Sequence, residues 1–153
     1  MDELRALEAW AGRLLAKLEA PARRAALRDI ARELRRTQTA RIAQQKNPDG
    51  SAYKPRKPRH EKQLRAKQGR IKNGAMFAKL RQAKYLRAES DAVSLTVGFS
   101  DRIARVARVH QYGLIDRVTK GGPEHKYDAR VLVGFSEADR DMIRDMLLKH
   151  IVK

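Results

Sequence analysis

Between Asp91 and Gly113 the chain changes its hydrophobic period in mid-run, and that change limits the fold more than any other stretch. In DAVSLTVGF, Val93, Leu95, Val97 and Phe99 fall on one face and Ala92, Ser94, Thr96 and Gly98 on the other, the period of two that a half-buried strand needs. From Ile103 the repeat becomes i, i+3, i+4, i+7 through Val106, Ala107 and His110, the stripe of an amphipathic helix. Ser100 and Asp101 stand at the switch, where a side-chain oxygen can cap free helix N–H groups. Gly113 follows the last periodic residue, where a left-handed C-cap costs least. A strand therefore feeds a helix of about three turns, and the fold needs both a sheet and helices.

Upstream, Asp2–Ala20 reads as a helix with Leu4, Leu7, Ala11, Leu14, Leu15 and Leu18 on one stripe and Trp10 beside it. Pro21 opens a second helix, Ala22–Lys46, because proline is tolerated in a first turn. Leu27, Ile30, Leu34 and Ile42 mark its buried side, with Ala31 and Gln38 between them. The pair forms a helical hairpin, whose first stripe packs on its own chain or on a neighbouring subunit. Asn47–His60 is a loop, since Pro48-Asp49-Gly50 is a turn signature and Pro55 and Pro58 forbid regular bonding. Glu61–Asn73 is a weak, exposed helix stopped at Asn73-Gly74, and Met76–Ala83 adds a further turn.

Lys84–Ala88 is a short strand predicted to pair with Asp91–Phe99 through a tight turn near Glu89-Ser90. Leu114–Thr119 and Glu124–Ala129 flank Gly121-Gly122-Pro123, a hairpin or extended flap. Arg130–Phe135 is a short apolar segment. Ser136-x-x-Asp139 then resembles a capping box with Asp in place of Glu, and Glu137, Asp139 and Asp141 suit the positive end of a last helix. Met142, Ile143, Met146, Leu147 and Ile151 give that helix its buried face. The fold class is α+β: an N-terminal helical hairpin, a small antiparallel sheet crossed by a helix, and a C-terminal helix. A chain of 153 residues suits one domain, divided into helices over 1–46, a basic loop and weak helix over 47–75, and an α+β core over 76–153.

Charge narrows the partners. Lys and Arg number 35 against 18 Asp and Glu, a net of +17, and between Pro21 and Asn73 the balance is 17 to 4. Such a block attracts polyanions and loses them as salt rises. Arg24, Arg28, Arg32 and Arg36 recur every four residues as a ridge that either faces an anionic surface or is simply solvated. Lys54, Arg56, Lys57 and Arg59 beside Tyr53 form either a flexible loop or an arm that orders against a partner. Absence of cysteine removes disulfides and thiolate metal sites. No apolar run approaches the ~20 residues of a membrane span. His60, His110, His125 and His150 are scattered, with none at a metal-ligand spacing, and no phosphate loop or nucleophile elbow is present. His110 and His150 continue apolar faces and read as core or interface histidines. No enzyme and no cofactor is expected.

HQYGL, then DRVTKGGPEHKYDAR, then LVGFSEADRDMI together resemble the phage virion morphogenesis family, the tail completion protein S group of contractile-tailed phages. The resemblance extends upstream through NPDGSAYKPRKP and GAMFAKLRQAKYL. It implies a non-enzymatic structural role in finishing the tail and joining it to the head, within the virion neck and, during assembly, the host cytoplasm. It implies as partners copies of the chain in a ring, six by the symmetry of such tails, with tail tube or sheath proteins and head-completion or connector proteins. Its pattern positions here are His110, Gln111, Tyr112, Gly113, Arg130, Gly134, Phe135, Ser136 and Asp139, expected to shape the fold and subunit contacts.

A sequence-nonspecific nucleic-acid-binding module is the alternative. The net charge and the arm favour it. No helix-turn-helix, RNP or zinc-knuckle pattern supports it, and few aromatics lie among the basic residues to stack on bases.

Overall fold

The computed structural model describes residues 2–56 and 75–152. In chain order these form α1 (Asp2–Leu15), α2 (Ala20–Ala43), β1 (Leu86–Ser90), β2 (Leu95–Phe99), α3 (Asp101–Tyr112), β3 (Ile115–Arg117), β4 (Glu124–Lys126) and α4 (Glu137–Val152). The architecture is α+β, with each pair of strands making its own two-stranded antiparallel sheet. The expected weak helix at Glu61–Asn73, its stop at Asn73-Gly74, Lys57, Pro58, Arg59 and His60 lie outside the described residues.

Helix α1 ends at Leu15 rather than Ala20, because Lys17 and Leu18 turn their N–H groups to Leu14 and Leu15 in a tighter last turn. Pro21 stands in the first turn of α2 as expected. α2 closes at Ala43, three residues early, where Gln45 takes a left-handed backbone with φ 59. The Gln45 amide explains that stop: Nε2 donates to Ile42 O at 2.7 Å and Met76 O at 2.9 Å, and Oε1 accepts from Met76 N at 2.7 Å.

Two apolar clusters make the core, and α2 runs through both. Leu7 of α1, Ile30 and Leu34 of α2, and Ile143 and Leu147 of α4 form one, with Trp10, Ala11 and Leu15 packed against it. So the stripe of α1 is used within its own chain. Ile42, Tyr53, Met76, Leu86, Ala107 and Leu132 form the other. Val97 of β2 touches both clusters. Each such Leu or Ile stabilises the fold by about 1.5–3 kcal/mol relative to exposure.

Strands β1 and β2 pair Leu86 with Phe99, Ala88 with Val97 and Ser90 with Leu95, so the apolar side chains share the face toward the core. The turn lies at Asp91–Ser94, later than the expected Glu89-Ser90. Asp91 Oδ1 accepts from Val93 N at 2.7 Å and Ser94 N at 2.8 Å, a local bond that competes with strand pairing. Val93, read as part of the alternating face, therefore sits in the turn, 78% exposed.

Helix α3 follows at once, with Gly113 left-handed at its C-cap, φ 63. Ser100 makes no side-chain cap; its backbone N–H donates to Tyr85 O at 3.0 Å and its hydroxyl turns toward Lys84 O. On α3, Ala107 is buried as predicted, whereas Val106 is 42% exposed and Val109, outside the predicted stripe, is buried. Strands β3 and β4 pair Ile115 with Lys126 and Arg117 with Glu124, a shorter flap than the sequence suggested.

Candidate assembly surfaces

Downstream of the flap, Arg130–Phe135 is irregular, bends at Val133 and belongs to no sheet. Buried backbone amides still need partners, and side chains supply them. Val131 N donates to Asn47 Oδ1 at 2.9 Å and Val131 O accepts from Tyr53 Oη at 3.2 Å. Gln111 Oε1 accepts from Leu132 N at 2.7 Å and Val133 N at 3.1 Å, and its Nε2 donates to Val133 O at 2.8 Å. Gln38 serves Gly134 in the same two-sided way, accepting its N–H at 3.2 Å and donating to its C=O at 2.7 Å. Arg41 Nη2 donates to Leu132 O at 3.0 Å. Thus α2, the 47–53 loop and α3 are clamped onto one ribbon, with every N–H and C=O from Val131 to Gly134 engaged.

Asp139 ends the ribbon. Its Oδ2 accepts from Ser136 N at 3.0 Å while Ser136 Oγ accepts from Asp139 N at 3.1 Å, the reciprocal capping box expected from the sequence. The same carboxylate accepts from Thr37 Oγ1 at 2.6 Å and lies 3.4 Å from Arg41 Nη1. Arg41 and Asp139 are both deeply buried, their side chains 10% and 2% exposed. Burial pulls the Arg41 guanidinium below its usual range, and Asp139 partly offsets this. A pair this dry is weak evidence for stability, but removing one partner strands the other.

The pattern residues divide accordingly. Gln111, Gly134, Ser136 and Asp139 belong to the clamp. Gly134 has to be small, since a Cβ there would lie 2.9 Å from Pro48 Cγ. Arg130 joins it, donating from Nε to Lys54 O at 2.7 Å and from Nη2 to Pro55 O at 3.1 Å, while its N–H reaches His110 O at 2.7 Å. Gly113 needs its positive φ and its bareness, because a Cβ would meet Ala129 N at 2.9 Å. His110 stacks edge-on to Phe77 and Tyr127, centroids 4.9 and 5.0 Å apart. Burial first, then the charges of Arg130 and Arg56, hold its imidazole below the ordinary histidine range. Its Nδ1 is buried without a hydrogen-bond partner among the described residues. Only Tyr112 and Phe135 of the set stand out at the surface.

Exposed apolar side chains gather near Tyr112: Leu114, Ile115 and Val118 follow along the flap. Arg105 of α3 holds the flap through Asp116 at 2.6 Å. Arg24, Arg28, Arg32 and Arg36 all point outward on α2, as predicted, and among the described residues only Arg36 is paired, to Glu33. An open cleft of about 610 Å³ lies between α2 and the 78–83 turns, lined by Arg35, Arg36, Thr39, Arg81 and Gln82. At the arm, Lys54 reaches Asp128 at 3.4 Å and Arg56 is exposed. Tyr53, read as the arm's aromatic edge, is instead a core residue, because its ring meets Phe77 edge-on and its hydroxyl serves Val131. His150 packs on the last helix and lies 3.4 Å from Asp29. Among the described residues no group of three His, Asp or Glu could hold a metal ion, and no helix is long and apolar enough to cross a membrane.

Sequence reasoning did not find the roles of Gln38, Arg41, Asn47 and Tyr53. Gln38 carried a signal: an amide in the middle of an apolar helix stripe needs a buried polar partner.

The chain matches the phage virion morphogenesis family over residues 2–152. It is 35% identical over 153 residues to the tail completion protein S of Escherichia phage P2, across 99% of this chain and 99% of that one. No solved structure matches it.

Proposed function

This chain belongs to the phage virion morphogenesis family, and from that membership we propose that it completes the phage tail as a structural, non-enzymatic component of the virion. The observation that carries this is the end-to-end similarity to a tail completion protein, across 99% of both chains. Copies assemble into a ring, six by tail symmetry, at the head-proximal end of the tail. There the ring contacts tail tube or sheath on one side and head-completion or connector proteins on the other, and enables head–tail joining. Assembly begins in the host cytoplasm, and the finished site is the neck.

The clamp supports this reading. It commits most of the family-pattern residues to a rigid frame, so Tyr112, Phe135, the flap and the arginine ridge are free for contacts. Ring formation uses one heterologous contact repeated until the rotation closes. Val97, shared by both apolar clusters, supports treating the described residues as one domain. The arginine ridge and the Lys54–Arg59 arm face acidic protein surface or pass DNA without reading its sequence. The test is a phage carrying an early stop codon in this gene. Filled heads and separate tails should accumulate, and supplying the intact protein should join them. Normally joined particles without the protein would overturn the reading.

A further inference from the structure

The ridge on α2 has a counterpart of opposite sign. Glu137, Asp141 and Asp145 recur every four residues along α4, and all three are exposed. The pitch of both rows is about 6 Å, four residues at 1.5 Å each. Arg24, Arg28 and Arg32 have no ion pair among the described residues, nor do Glu137 and Asp145; Asp141 is held only by its neighbour Arg144 at 2.9 Å. The rows do not meet within one subunit. α2 and α4 pack through Ile30, Leu34, Ile143 and Leu147, and each row lies about 120–200° round its helix from Ile30 or Ile143, at 100° per residue. One subunit thus carries a basic flank and, on the far side of the same helix pair, an acidic one.

We propose that the acidic row of α4 in one copy docks on the basic row of α2 in the next. In antiparallel register Asp145 lies opposite Arg24, Asp141 opposite Arg28 and Glu137 opposite Arg32. The same register sets Leu148, 47% exposed, against Pro21, so the charged row ends in an apolar contact. Rows of i, i+4 side chains on two helices run parallel when the helices cross at about −50°, which fixes the docking angle. Neither row can pair with itself, since like charges would face each other. The contact is therefore head-to-tail, as a ring requires. It presupposes the ring proposed above and names its contact. Exposed ion pairs are individually weak, so the assembly draws on their repetition and loosens near 1 M salt, where the screening length falls to about 3 Å.

The test uses the full chain and light scattering after size exclusion. Among the described residues neither Arg24 nor Asp145 has an ion-pair partner in its own subunit, so Arg24→Glu and Asp145→Arg should fold normally. Each alone should raise the subunit dissociation constant about tenfold or more. Mixed one to one they should assemble again, because alternating copies place wild-type and charge-swapped contacts in turn. Arg28→Glu with Asp141→Arg repeats the design should one variant fail to fold. Single variants that assemble like wild type, or a mixture that does not recover, would overturn this contact and leave the ring standing. A wild-type protein that stays monomeric at every concentration would end both. A ridge variant that keeps its oligomer but releases duplex DNA would assign the ridge to DNA instead.

Discussion

Two segments face the same core and solve the same backbone problem differently. In β1 and β2 the amides pair with each other, Leu86 against Phe99 through Ser90 against Leu95. Along Val131–Gly134 they pair with side chains from α2, α3 and the 47–53 loop. A ladder depends on the backbone and tolerates most changes on its outer face. A side-chain clamp depends on the identity of a few polar residues. It also joins elements far apart in sequence, so the outer surfaces it supports keep their relative positions.

Breaking the clamp should therefore cost far more than editing the ladder. The largest effect belongs to Asp139→Ala, which leaves Arg41 charged and unpaired in a dry site. A loss of about 3–5 kcal/mol is expected, read as a lower denaturant midpoint. Gln111→Leu comes next. It orphans Leu132 N, Val133 N and Val133 O, all only part-buried, for about 3 kcal/mol in all at about 1 per stranded group. The matched edit in the ladder, Thr96→Ala on the exposed face of β2, should stay within about 0.5 kcal/mol. Equal losses from Gln111→Leu and Thr96→Ala would erase the distinction between the two segments.

Protonation offers a gentler probe. His110 sits against the clamp through its carbonyl bond to Arg130 N, and its folded pKa is lowered, chiefly by burial. The unfolded chain therefore binds the proton more readily. The stability tied to neutral His110 is fully present above about 6.5, the ordinary histidine value, and is lost as pH falls through the lowered folded value. Denaturation midpoints measured across that window should fall on acidification, and His110→Phe should flatten the dependence. An unchanged slope in the variant would move the pH response elsewhere. The smallest structural effect is expected from reversing Arg24, Arg28, Arg32 and Arg36 together. Stability should move little, because among the described residues these side chains form no ion pair beyond Arg36 with Glu33, yet head–tail joining should fail. Infectious yield at the wild-type level would return the ridge to plain solvation.

What the sequence disclosed follows the same division. The strand-to-helix switch, the left-handed Gly113, Pro21 in a first turn and the Ser136–Asp139 box were readable, because each is a local rule acting within a few residues. The boundaries that moved did so where one side chain captured backbone groups: Asp91 took the turn from Glu89-Ser90, and Gln45 closed α2 before Lys46. Arg130–Phe135 could be seen as apolar but not as an irregular ribbon held by side chains. Its partners Asn47, Gln38 and Arg41 lie more than eighty residues upstream, and periodicity carries no information over that distance. Tyr53 misled for a related reason. Its neighbours Lys54 and Arg56 are exposed, and distant partners, Phe77 beside the ring and Val131 O at the hydroxyl, explain why the ring goes inward.

The protein's position in the particle decides its role. Cryo-electron microscopy of the intact virion neck should place this chain as a closed ring at the head-proximal end of the tail, with α4 of each copy crossing α2 of the next. A neck built without it, or copies found singly elsewhere in the particle, would contradict the central claim.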